Sequence, residues 1–157
     1  MLALPSAGRA AARPQAVAAG YWRAMSRENV ELVKRGFEVF MATGKLSDEF
    51  APDHIWDLST FRGWPDQPVF QGSDGFSEFI TAWTQPYDDW NIAVENVLDA
   101  GDDRVVAVLM QRGRLRGSDA DVSLRYGIVY TVGDGRIRAA QVYHDHADAL
   151  EAVGLRE

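Results

Sequence analysis

Residues 90–98, 104–116, 122–132 and 136–144 alternate apolar and polar side chains and are separated by little more than turn residues. Successive side chains of a β-strand point to opposite faces, so period two marks a strand with one face on a core. The separators are Gly101-Asp102-Asp103, Gly117-Ser118-Asp119-Ala120-Asp121 and Gly133-Asp134-Gly135. Gly and Asp tolerate the backbone angles that tight antiparallel hairpins require. A long antiparallel meander therefore constrains whatever precedes it.

What precedes it is mainly helical. Ser26 is placed to cap a first helix, with Glu28 in its first turn and Val30, Val33, Phe37 and Phe40 or Met41 at helical spacing up to Gly44. A short second helix is expected over residues 47–51, stopped by Pro52, and His54 to Leu58 alternate like a strand. Residues 59–72 contain Gly63, Pro65, Pro68 and Gly72 with Phe61, Trp64 and Phe70, the composition of a long loop pinned by aromatic anchors. Ser73 then opens a third helix with Phe76, Phe79, Ile80 and Trp83 on one stripe, ended by Pro86. A last helix runs over residues 148–153 and stops at Gly154. Helices followed by strands make an α+β chain.

Charge narrows the partners. The chain carries −7, which opposes a nucleic-acid groove, and no apolar stretch suggests a membrane span. Residues 1–24 carry +3 and no acid, leaving −10 on residues 25–157; Pro5 and Pro14 oppose a long helix there. The expectation is a disordered extension or an upstream start over 1–24 and a single domain over 25–157. With no cysteine, a thiol nucleophile and a thiolate metal site are excluded, and the cytoplasm is the default compartment. A Gly-rich phosphate cradle, a Ser-His-Asp order and a metal motif are also missing, so cofactor-free, metal-free chemistry is expected.

The densest chemistry lies at Tyr143-His144-Asp145-His146, where alternation sends Tyr143 and Asp145 to one face and His144 and His146 to the other. Together with Met25-Ser26-Arg27-Glu28-Asn29-Val30-Glu31, Ala51-Pro52-Asp53-His54-Ile55-Trp56, Gln71-Gly72, Asp99-Ala100-Gly101-Asp102, Gln111-Arg112-Gly113-Arg114 and Asp134-Gly135-Arg136-Ile137, this ending resembles the SnoaL-like polyketide cyclase family of the nuclear transport factor 2-like superfamily. The resemblance implies a cone-shaped α+β barrel, in which a strongly curved antiparallel sheet wraps three helices of the N-terminal half and encloses an apolar pocket. It also implies a homodimer formed through the outer sheet face.

The resemblance orients the strands as well. It turns Asp145 inward, and with it Tyr143 and Gln141, leaving Val142, His144 and His146 outside. His54, Trp56 and Leu58 face inward on the first strand, Met110, Arg112 and Arg114 on the long strand, and Tyr126, Ile128 and Tyr130 on the next. The implied catalytic residues are Asp145 as acid/base, Arg112 holding a carbonyl or enolate oxygen, and His54 assisting. Trp56, Leu58, Met110, Arg114, Tyr126, Ile128 and Tyr143 would line the ligand site.

Departures from the family's enzymes limit the chemistry. Phe37, Leu58 and Ile128 stand near the positions where ketosteroid isomerases place their tyrosine donor, aspartate base and aspartate donor, and Arg114 stands where epoxide hydrolases place a second carboxylate. An isomerase- or cyclase-type proton transfer on a small, apolar, oxygenated molecule is the least contradicted activity. The alternative is a non-catalytic binding or dimerisation module in which Arg112 and Asp145 form a structural pair.

Overall fold

A computed structural model of the chain describes the backbone of residues 12–65 and 67–155, with side chains from residue 26 onward. The elements are α1 (Ala12–Thr43), β1 (Phe50–Asp57), β2 (Val69–Gln71), α2 (Gly72–Thr84), β3 (Tyr87–Gly101), β4 (Arg104–Leu115), β5 (Asp121–Gly133), β6 (Arg136–Tyr143) and α3 (His146–Ala152). The strands form one open sheet in the order β2-β1-β6-β5-β4-β3. The meander β3 to β6 is antiparallel, as its turn chemistry requires, but β1 joins β6 in parallel, so the sheet is mixed. Breaks in register between β3 and β4 and between β5 and β6 supply the bulges that bend long strands.

Two hairpins show why their turn residues are there. Asp102 and Asp103 have φ of 54° and 59°, and Asp134 and Gly135 have 55° and 72°. Positive φ at both central residues is the type I′ pattern, whose twist matches that of the flanking strands.

Several upstream boundaries differ from expectation. α1 runs through Ser26 rather than starting there, and Pro14 lies in its first turn, where the missing amide has no helical acceptor to lose. For residues 1–11, and for the side chains up to 25, the expected extension lies outside the described residues. Residues 47–51 form a turn into β1 and no helix, with the Phe50 amide donating to the Ser47 carbonyl at 3.4 Å. The long loop closes with β2, which pairs with β1. Ser73 does not cap α2; the helix begins at Gly72 behind Gln71, and no side chain caps it.

α1 and α2 cover one face of the sheet, burying Val33, Phe76, Phe79 and Trp83 against Trp56, Leu109, Tyr126, Ile128 and Val142. α3 covers the opposite face, where Ala149, Leu150 and Val153 meet Val106 and Val129. The central strands are thus buried on both sides. Among the described residues, no helix is long and apolar enough to cross a membrane.

Candidate functional site

Between the sheet and the helices α1 and α2 lies a cavity of about 50 Å³. Phe37 and Phe40 of α1, Phe76, Phe79 and Trp83 of α2, and Trp56, Tyr126 and Tyr130 of the sheet supply the rings of its wall, with aliphatic side chains such as Val33, Leu109 and Ile128 between them. Trp56 lies nearly parallel to Phe79 at 5.2 Å and to Phe50 at 5.9 Å, held between the two rings. None of its described lining residues carries a charge.

Besides the Tyr126 and Tyr130 hydroxyls, the polar groups in or directly behind this wall are of two kinds, with Gln111 and His54 outside the lining itself. Gln111, buried on β4, accepts the indole N–H of Trp83 at 2.6 Å and that of Trp90 at 2.8 Å through one carbonyl oxygen. Its two lone pairs are matched by two donors, and the amide nitrogen faces the Tyr87 hydroxyl at 3.5 Å. This clamp fixes the two tryptophans. The second kind is unpartnered: the indole N–H of Trp56 and Nε2 of His54 are buried with no hydrogen-bond partner. Buried polar groups are nearly always paired, so such an exception calls for an explanation.

His54 is 2% exposed, and its Nδ1 lies 2.8 Å from the Ala51 carbonyl, which can only accept. The proton is therefore on Nδ1, and Nε2 presents a lone pair. Burial, the largest effect, lowers the pKa below the ordinary 6.5 against the opposing pull of the Ala51 bond and of Asp53, which keeps the ring neutral. The Tyr126 and Tyr130 phenols are shifted the other way by burial and remain O–H donors.

A consequence for stability follows from His54. Above its ordinary value of 6.5, folded and unfolded chains both carry it neutral. As pH falls through that value the unfolded chain gains a proton that the folded one refuses, so stability drops until the lowered folded pKa is reached. Urea midpoints should fall as the pH is lowered through the ordinary value of 6.5, and His54→Gln should flatten that fall. Equal slopes in both proteins would refute the assignment.

The expected site residues divide. His54, Trp56 and Leu58 are buried on the helix side, as are Tyr126, Ile128 and Tyr130. Met110, Arg112, Arg114, Tyr143 and Asp145 are not there. Leu109, not Met110, stands opposite Tyr126 in the β4–β5 ladder, and directly paired residues share a face. Arg112 is exposed on the far side, and Arg114 is engaged by Asp89 and, at 3.4 Å, by Asp119 on the surface. On β6 the same logic puts Val142, opposite Ile128, in the core. The faces of the final strand are the reverse of those expected: Tyr143 packs with the α3 cluster, and His144 lies against Phe61 at 4.9 Å.

Asp145 is the N-cap of α3. Its carboxylate accepts the Ala147 amide at 2.9 Å and lies 3.2 Å from Nδ1 of His146. Arg112 and Asp145 form no ion pair, so the expected pairing of the two is not formed. Asp145→Ala should cost about 1 kcal/mol in urea unfolding, the usual loss for a cap, and Asp145→Asn much less, because asparagine also caps. A loss in Asp145→Asn as large as that in Asp145→Ala would contradict the capping role.

Gln111 was missed. The available signal was one uncharged polar residue directly after the apolar run Val105 to Met110, with tryptophans at positions 83 and 90 to serve. Among the described residues, no group of three or more His, Asp or Glu is placed to hold a metal.

An open curved sheet wrapped around helices, with an apolar cavity between them, defines the nuclear transport factor 2-like class of α+β proteins. Solved structures agree. TerC, co-crystallised with polyporic acid, superposes with a TM-score of 0.62 at 20% identity, covering 80% of this chain and 98% of its own. A putative SnoaL-like polyketide cyclase from Jannaschia sp. CCS1 gives 0.58 at 19% identity, covering 83% and 94%. An NTF2-like protein of unknown function from Burkholderia pseudomallei K96243 gives 0.59 at 17% identity, covering 81% and 98%. Comparison with curated proteins gives no match. The SnoaL-like domain family matches residues 33–140, and the chain belongs to that family.

Proposed function

We propose that this protein binds a small, uncharged, oxygenated aromatic molecule in the cavity between its helices and sheet. The observation that carries the reading is the indole N–H of Trp56, buried without a partner on a ring that lines the cavity. A ligand carbonyl or hydroxyl oxygen would accept it, and the surrounding rings would stack on a flat body. The absence of charge from the described lining favours a neutral ligand over an anion. Family membership supports a small-molecule module without fixing an activity, because one fold hosts many functions.

A second reading adds proton transfer. Among the described residues, the neutral His54 Nε2 is the unpartnered basic atom beside this wall, its ring 6.3 Å from that of Trp56. A ligand hydroxyl or an acidic C–H brought to it could give up a proton, which would make the protein a cofactor-free isomerase or cyclase with His54, not Asp145, as base.

Trp56→Phe keeps an aromatic ring and removes the donor. Titration of 2-naphthol, with 1-tetralone as a second neutral probe that carries a carbonyl acceptor, should show saturable quenching of tryptophan fluorescence in the parent. Affinity should fall about tenfold in Trp56→Phe, the worth of one buried hydrogen bond. Failure of both probes to bind the parent would contradict the reading. Turnover that persists in His54→Gln would remove the second reading only.

A further inference from the structure

The cavity of about 50 Å³ is small for an organic ligand, whose sites usually run from about 300 to about 1,000 Å³. A second space lies close by: a surface cleft of about 360 Å³ between α1 and β3. Phe37 lines both, and no other described lining residue is shared between them. On the inner side its ring stands edge-on to Tyr130 at 6.0 Å; on the outer side it forms cleft floor with Met41, Val94 and Val97.

We propose that Phe37 is a movable partition, and that the ligand is an elongated, mostly apolar molecule whose aromatic head fills the cavity while its remainder lies in the α1–β3 cleft. The proposal rests on the ligand-binding reading above and adds the shape of the ligand and its route. The side chain can move without the helix. At Gly36 the helix approaches β1 closely, where a Cβ would sit 3.3 Å from the Phe50 ring. Phe37 itself is only half-buried, and a helical phenylalanine has two favoured χ1 wells, so one rotamer change removes the wall.

Half of the cleft's lining is apolar, Met41, Val94 and Val97 with Phe37, and the other half is charged or polar, Lys34, Glu38, Glu95 and Asn96, so a tail would follow the apolar half. Met41 exposes 57% of its surface there, so its side chain is available to a ligand lying in the cleft. The acid on the β3 wall, Glu95, is held by both of its oxygens to Arg125 at 2.8 and 3.1 Å, so its charge is already answered. β3 is an edge strand, which leaves the cleft open to solvent along its length.

Stopped-flow binding of 2-naphthol, which is head alone, and 6-hexyl-2-naphthol, which is head and tail, separates the parts of the proposal. Phe37→Ala and the gentler Phe37→Leu should each raise the association rate of 2-naphthol about tenfold. Met41→Asp, which lies in the cleft only, should weaken 6-hexyl-2-naphthol about tenfold and leave 2-naphthol unchanged. Unaltered rates in both Phe37 variants, or equal effects of Met41→Asp on the two probes, would overturn the partition while ligand binding stood. If neither probe binds any form, the functional reading falls and the partition with it.

Discussion

Gln111→Leu should destabilise the protein by about 2 to 4 kcal/mol, although leucine nearly matches glutamine in volume. The loss comes from what is left behind. Gln111 satisfies the indole N–H groups of Trp83 and Trp90 at once, and a leucine would strand both donors. A buried donor without a partner costs about 1 to 3 kcal/mol, and Trp90 is only half-buried, so water can recover part of its share. The same substitution unlocks two rings of the cavity wall, so binding of 2-naphthol should weaken together with stability. Urea unfolding and near-ultraviolet circular dichroism of the tryptophans report the two effects. A stability change below about 0.5 kcal/mol would mean that the clamp is not formed in solution.

Gly127→Val should be comparably damaging, for a steric reason. On the outer face of β5, a Cβ at residue 127 would stand 2.5 Å from the Cβ of Ala149 and 3.4 Å from the Cα of His146. Both atoms are fixed to α3, so no flexible side chain can swing aside. The helix must lift from the sheet, exposing Leu150 and Val106, which are buried there. Overpacking of this kind costs about 1 to 3 kcal/mol, and the branched valine should reach the upper end. Amide exchange would show lost protection in α3 and little change in α1 or α2; protection lost evenly through the chain would contradict the local account.

That outer helix also explains which parts of the site were legible in the sequence. Alternation placed β3 to β6 within a few residues, and the Gly-Asp turns placed their hairpins. It grouped His54, Trp56 and Leu58 on one face and Tyr126, Ile128 and Tyr130 on another, the family resemblance turned both inward, and both face the core. It failed on β4 and β6 because alternation divides a strand into two faces without saying which is inside. From Val105 to Leu109 both faces are buried, one under α1 and α2 and the other under α3, so hydrophobicity could not decide. Family resemblance then pulled Arg112 and Asp145 inward, and Met110, Arg114 and Tyr143 with them.

The ending carried a competing signal. Asp145 followed by Asp148 has the spacing of a helix N-terminus, an oxygen-bearing cap with an acid three residues later. Starting the last helix at residue 148 instead of 146 hid that cap and left Asp145 free to look catalytic. The site itself was the least visible part. It consists of rings from α1, α2 and three strands, and two of its defining features, the Gln111 clamp and the unpartnered Trp56 N–H, arise only when those elements are packed together.

The most direct test follows the indole N–H resonances by two-dimensional nitrogen–proton NMR during a 2-naphthol titration. The Trp56 signal should move progressively as its free N–H finds an acceptor, while those of Trp83 and Trp90, already bonded to Gln111, move far less. The Ala147 amide capped by Asp145 should stay in place. Shifts concentrated at Asp145, Ala147 and Arg112, with Trp56 unmoved, would contradict the account and return the binding site to the other face of the sheet.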